Sequence, residues 1–177
     1  MSGPVSGEPV RVLFVCLGNI CRSPTAEGVM RELVGREGLQ GAIVVDSAGT
    51  GAWHVGSPPD ARAAEAARAR GVALAGTARQ VRPQDFEDFD YLVAMDGENV
   101  RALRSLAQGE DERSKVRLLR EFDPASADGA EGAGDLDVPD PYYGGADGFD
   151  EVFELVRAAC AGLLEQLRDE APALRES

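Results

Sequence analysis

Val10-Arg11-Val12-Leu13-Phe14-Val15-Cys16-Leu17-Gly18-Asn19-Ile20-Cys21-Arg22-Ser23-Pro24 is the stretch from which the architecture can be read. Val10 to Val15 is apolar except for Arg11 and rich in β-branched residues, the pattern of a short parallel strand buried on both faces. That strand ends at Cys16. Beyond the loop that follows, Ala26, Val29, Met30, Leu33 and Val34 recur at i, i+3, i+4, i+7 and i+8. This spacing predicts an amphipathic helix, opened by Ser23-Pro24 and closed by Gly35 or Gly38. Strand, loop and helix make the first unit of an α/β fold.

The alternation continues along the chain. Ile43 to Val45 reads as a second strand leading into Ser47-Ala48-Gly49-Thr50-Gly51, and Asp60 to Arg70 as an alanine-rich helix stopped by Gly71. Tyr91 to Met95 predicts a third strand, followed by Asp96 capping a helix that buries Val100, Leu103 and Leu106, and Val116 to Leu119 a fourth. From Asp123 to Gly148 the pattern dissolves into Asp, Gly, Ala and Pro, as in a long loop. Phe149, Val152, Phe153, Val156, Cys160, Leu163, Leu164 and Leu167 then keep helical spacing. Strands alternating with helices imply a parallel sheet covered by helices on both faces. A length of 177 residues suits one domain. We expect a disordered tail over 1–8, a domain over 9–170 with a flexible acidic loop at 123–137, and a frayed end at 171–177.

Eighteen Lys and Arg against thirty-one Asp and Glu leave a net charge of −13, which argues against nucleic acid as a partner. The charge is concentrated: residues 121–156 hold eleven acids and no Lys or Arg, so they carry −11 of the −13. Three cysteines and one histidine offer only one loose pair, Cys16 with Cys21, so no metal site and no cofactor are expected. The odd cysteine count provides no disulfide framework and suits a reducing compartment. No signal-peptide pattern opens the chain and no apolar run reaches membrane-spanning length, so the expectation is a cytoplasmic protein without a membrane partner.

Chemistry concentrates in the loop between the first strand and first helix. Ligands of open α/β sheets bind outside the carboxyl ends of strands, where a helix N-terminus offers free amides and a positive dipole end. Gly18 and Asn19 tolerate the left-handed backbone that turns successive N–H groups inward, and the Arg22 fork matches two phosphate oxygens. The same field favours the thiolate of Cys16, and Ser23 is placed to donate to its sulfur. A nucleophile activated in this way needs no histidine base, so His54 reads as a surface loop residue.

The stretch from Val12 to Glu27 strongly resembles the active-site segment of the low-molecular-weight protein tyrosine phosphatases. The likeness continues through Asp46 to Gly56, Ala94 to Asn99 and Asp140 to Gly144, spanning about residues 10 to 165 in order. The resemblance implies a single-domain three-layer α/β/α fold with a four-stranded parallel sheet of flavodoxin-like order. It also implies hydrolysis of phosphotyrosine and small aryl phosphates through a phosphocysteine intermediate. Cys16 would be the nucleophile and Arg22 the phosphate binder, with Leu17, Gly18, Asn19, Ile20, Cys21 and Ser23 completing the phosphate loop. Asp140 would be the general acid and base; composition alone could not have selected it from the acids around it. Trp53, Tyr142 and Tyr143 would wall the cleft, and Asn19, Ser23 and Ser47 would brace the loop. Cys21 would be a redox partner of Cys16, against the plainer reading of a small apolar loop residue. Related phosphoarginine phosphatases carry threonine at the position of Ile20, so isoleucine favours phosphotyrosine. The partners implied are a phosphotyrosine protein or peptide, phosphate and vanadate, with a monomer or weak dimer as the assembly.

Two departures from that family stand out. Many relatives have Asp-Pro-Arg and, just before the Ala-Arg-Gln stretch, a histidine; here Asp60-Ala61-Arg62 and Gly76-Thr77-Ala78-Arg79-Gln80 stand instead. The extended stretch from Asp123 to Gly134 is not explained by the motif. Arsenate reductases share a Cys-x5-Arg loop but need a further cysteine relay, for which Cys160 on a helix stripe is badly placed. A non-catalytic phosphoresidue-binding module is the third reading, disfavoured by the intact nucleophile, arginine and acid.

Overall fold

A computed structural model describes residues 8–125, 136–142 and 144–170. Four strands, β1 (Val10–Cys16), β2 (Ile43–Gly49), β3 (Tyr91–Ala94) and β4 (Val116–Leu118), form one sheet in the order β2-β1-β3-β4. Every pairing is parallel, with Val12 opposite both Val45 and Tyr91 and Leu92 opposite Val116. The helices are α1 (Arg22–Arg36), α2 (Ala61–Arg68), α3 (Asp85–Asp88), α4 (Gly97–Leu106), α5 (Glu110–Arg113) and α6 (Ala146–Glu170). This is the expected three-layer arrangement. The tails expected over 1–7 and 171–177, and the part of the expected acidic loop over 126–135, lie outside the described residues.

Strand β1 shows why both faces are covered. Val10, Val12, Phe14 and Cys16 join the core made with α1 and α6, through Met30, Val34, Phe153, Val156 and Leu163. Leu13 and Val15 point the other way, into a second core with Phe86, Phe89, Leu92 and Leu103 from α3, β3 and α4. Side chains alternate across a strand, so an unbroken apolar run serves two layers at once.

Boundaries differ from the sequence reading in instructive places. β2 continues past Val45 to Gly49, because an edge strand beside β1 accommodates polar Asp46 and Ser47. α1 runs to Arg36, and Gly38 at φ +71°, not Gly35, makes the reversal after it. α6 opens at Ala146, three residues before its first large apolar side chain, Phe149. β4 stops at Leu118, and Leu119 opens a short 3-10 turn to Phe122. Helix α6 crosses that turn so closely that a Cβ at Gly162 would lie 1.8 Å from the carbonyl oxygen of Phe122.

This topology sets the site. The chain passes from β1 outward to β2 and then returns to β3 on the other side of β1, leaving a crevice at the carboxyl ends of β1 and β3. Cys16 ends β1 and Asp96 follows β3, so they face each other across it.

Candidate active site

The loop after β1 is held from outside by its carbonyls. Cys16 O accepts from Thr50 N, Leu17 O from Gly51 N and Ile20 O from Asp60 N. The peptide planes are thereby turned so that amides face inward: Asn19 N–H and Ser23 N–H both donate to Cys16 Sγ, at 3.3 and 3.4 Å. The Ser23 hydroxyl lies 3.0 Å from the same sulfur. Asn19 takes the left-handed conformation at φ +56°, as expected. Gly18 does not, which corrects the sequence reading: its glycine serves close approach, since a Cβ there would sit 3.0 Å from His54 Cδ2. Gly49 has a similar reason, because its Cβ would meet Leu17 O at 2.7 Å.

Behind the loop lies a buried polar brace. Asn19 Nδ2 donates to Ser23 Oγ at 2.8 Å and to Ser47 Oγ at 3.0 Å, and Ser47 donates to Glu27 Oε1 at 2.6 Å. Asn19 Oδ1 accepts from Arg79 N–H at 3.0 Å. Arg79 is in turn held by Asp85, a fully buried carboxylate that also accepts from Arg82 N–H.

Arg22 is 3% exposed and spans the crevice. Its Nη1 donates to Asp96 Oδ2 at 2.7 Å and to Val138 O at 3.0 Å, while Nη2 lies 3.5 Å from Asp140 Oδ2. Burial alone would lower the Arg22 pKa, but Cys16, Asp96 and Asp140 outweigh it and raise it above the ordinary guanidinium value. The segment bearing Asp140 is pinned at its base: Val138 N–H donates to Met95 O, and Asp137 Oδ1 accepts from Gly97 N–H. Asp140 itself, between Pro139 and Pro141, accepts from Tyr142 N–H at 3.1 Å.

These groups open into a cleft of about 380 Å³. Cys16, Leu17, Gly18, Ile20, Cys21 and Arg22 of the loop line it, together with Trp53, His54, Asp140 and Tyr142. Trp53 is 75% exposed on the rim, and Arg62 stacks its guanidinium over the rings of Tyr142 and Phe149. Tyr143 lies outside the described residues. Cys21 is buried; burial first, then Asp60, Cys16 and Asp140, push its thiol up to about 12. Cys160 is wholly buried on α6, its thiol against Ala26 O at 3.8 Å.

Three residues of the site escaped the sequence reading. Asp96 was expected only as a helix cap; it caps α4 through Asn99 N–H with one oxygen and holds Arg22 with the other. His54, read as a surface loop residue, sits in a loop that also lines the cleft, 5.9 Å from the Tyr142 ring. Glu27 follows Ser23 by four residues on α1, and that helical spacing was the available signal.

Comparison with known proteins agrees with this geometry. The family model of low molecular weight phosphotyrosine protein phosphatases matches residues 11–173. A low molecular weight protein-tyrosine-phosphatase of Streptomyces coelicolor is 51% identical over 160 residues, covering 90% of this chain and 94% of its own. The crystal structure of YfkJ from Bacillus subtilis superposes with a TM-score of 0.82 at 44% identity, covering 92% of this chain and 97% of that one. A protein tyrosine phosphatase from Entamoeba histolytica, with Hepes in its active site, gives a TM-score of 0.83 at 36% identity over 91% of this chain and 98% of that one. With the sulfur-centred loop, its arginine and its brace all within the matched span, this chain belongs to the low molecular weight phosphotyrosine protein phosphatase family.

Proposed function

We propose that this protein hydrolyses phosphotyrosine in proteins or peptides, and small aryl phosphates, through a phosphocysteine intermediate and without a metal. The observation that carries the reading is the convergence of Asn19 N–H, Ser23 N–H and the Ser23 hydroxyl on Cys16 Sγ, beside the buried Arg22. Sulfur surrounded by donors is the form a thiolate requires. The thiolate attacks phosphorus, the S–P bond forms and the P–O bond to the phenol breaks, with the proton of Asp140 passing to the departing oxygen. Asp140, now a carboxylate, removes a proton from water; the oxygen attacks phosphorus, the S–P bond breaks, and inorganic phosphate leaves with the thiolate restored. Arg22 and the loop amides carry the charge of the equatorial oxygens in both steps.

Arg22 Nη2 lies near Asp140 before substrate arrives. A phosphate dianion claims that guanidinium and releases Asp140 from it, toward the leaving-group oxygen. Trp53 and Tyr142 supply flat surfaces and Ile20 an apolar one, which favours an aryl ester over the short phosphoserine side chain. The chain works as one domain over 9–170, in a reducing cytoplasm where Cys16 stays unoxidised.

Cys16→Ser is expected to abolish turnover of p-nitrophenyl phosphate measured in excess chelator, and vanadate to inhibit the parent protein. Substantial residual turnover in Cys16→Ser would falsify the mechanism. Asp140→Ala should slow esters of poor leaving groups by about 10²-fold or more, with a smaller effect on p-nitrophenyl phosphate. Competition among phosphotyrosine, phosphoarginine and phosphoserine peptides tests the substrate class, and preference for phosphoarginine would overturn it.

A further inference from the structure

With Cys16 as the thiolate, donors and acceptors behind the phosphate loop settle into one direction of hydrogen bonding. A carboxylate only accepts, so the 2.6 Å contact of Ser47 Oγ with Glu27 Oε1 commits the Ser47 proton to Glu27. Ser47 therefore offers a lone pair to Asn19 Nδ2. An amide N–H only donates, so Arg79 N–H fixes Asn19 Oδ1 as the acceptor and turns Nδ2 toward both serines. Ser23 Oγ, accepting from Asn19, keeps its own proton for Cys16 Sγ at 3.0 Å, in preference to Ala48 O at 3.5 Å.

We infer that Glu27 is a positioning residue, which by taking the Ser47 proton keeps Ser47 as acceptor for Asn19 and so, with Arg79 N–H on the other side of that amide, holds the chain Ser47–Asn19–Ser23 with the Ser23 hydroxyl donating to the Cys16 sulfur. The inference deepens the function proposed above and rests on Cys16 being its attacking group. Glu27 is fit for this role. It is 8% exposed, and its second oxygen is held by Arg31 at 2.5 Å. Arg31 is itself tied to Val45 O. Ser23, Glu27 and Arg31 follow one another at four-residue intervals along α1, so a single face of that helix links the surface to the nucleophile. Burial pushes the Glu27 carboxyl up from its ordinary range, against the pull of Ser47 and Arg31; Asp46 and Arg79 are the other charged groups facing it. In Glu27→Gln, Arg31 would hold the amide oxygen and turn the NH2 group toward Ser47. Ser47 would then meet N–H groups on both sides, and its own proton would lose its acceptor.

The sign of one shift tests this. Removing a buried negative charge would by itself ease ionisation of Cys16, whereas loss of the oriented donor hinders it. The readout is the pH profile of Cys16 alkylation by iodoacetamide, followed by mass spectrometry on the full chain, with circular dichroism to verify the fold. For Glu27→Gln the midpoint is expected to rise, so that alkylation on the acidic limb slows about three- to tenfold. Glu27→Asp keeps the charge but is too short to reach Ser47, and should shift the midpoint the same way; it decides the matter if Glu27→Gln fails to fold. Ser47→Ala should match them, and the Glu27→Gln/Ser47→Ala double variant should add nothing further. An unchanged or lowered midpoint in the Glu27 variants, or additive shifts in the double variant, overturns the inference. Alkylation reads the sulfur and not turnover, so this result stands apart from whether Cys16→Ser abolishes hydrolysis.

Discussion

Asp85 carries more than its place beside a short helix suggests. Its carboxylate is 0% exposed and accepts from both terminal nitrogens of Arg79 and from Arg82 N–H and Nη2. Burial alone would raise its pKa, but the hydrogen bonds from Arg79 and Arg82 outweigh that and hold it below the ordinary 3.8. A depressed folded-state pKa stabilises the fold fully above the unfolded value, and that contribution is lost as pH falls through the folded one. Asp85→Asn is therefore expected to lower stability by about 2 kcal/mol at neutral pH and Tm by about 4–8 °C. The deficit against the parent protein should shrink below about pH 4, which parallel acid titrations by circular dichroism would measure. Equal deficits at pH 7 and pH 2 would refute this. Such residues mark the limit of reading a sequence. Cys16 and Arg22 were legible because strand, loop and helix already define where an anion binds. Asp85, Asp96 and Glu27 look like ordinary surface acids, since the groups that pair with them arrive from other elements.

Elements were legible in proportion to their length and apolar content. The stripe of α6 is periodic from Phe149 to Leu167, and the apolar run of β1 leaves little choice between a strand and a helix. Helices α3 and α5 are four residues each, shorter than the pattern by which a helix is recognised, and the sequence reading passed over both. The packing of α6 was also hidden, because a glycine in a helix carries no stripe. Gly162 is where α6 meets the backbone of the 3-10 turn, and Gly162→Ala would force the two apart. The expected cost is about 3 kcal/mol, the upper end for overpacking, and a Tm drop of at least about 6 °C. Scanning calorimetry finding Gly162→Ala as stable as the parent, on the grounds that alanine favours helix, would contradict the packing described here.

Across the whole molecule, the acidic tract acquires a more qualified meaning than its −11 suggested. Within residues 121–156, Glu121 pairs with Arg117, Asp150 and Glu154 with Arg70, and Asp140 with Arg22. The cations that answer the tract all come from outside it, and the field at the cleft is smaller than a bare sum of charges. Peptides with basic flanks are expected to exceed acidic ones in kcat/KM by a few-fold at low ionic strength. The ratio should fall toward one in about 0.5 M salt, where screening is nearly complete over a few ångströms. A ratio indifferent to salt would mean that flanking residues are read by contact instead of by charge.

The rim tryptophan gives the molecule a further property. Trp53 is the single indole of the chain, three-quarters exposed, and it borders the cleft instead of the core. Intrinsic fluorescence excited at the indole therefore reports the mouth of the cleft almost alone. Vanadate or a phosphotyrosine peptide should change its emission on binding, while loss of the core, which leaves this already wetted ring in water, should produce only a small spectral displacement. Binding and unfolding can be followed separately in one unlabelled sample, the first by emission and the second by circular dichroism.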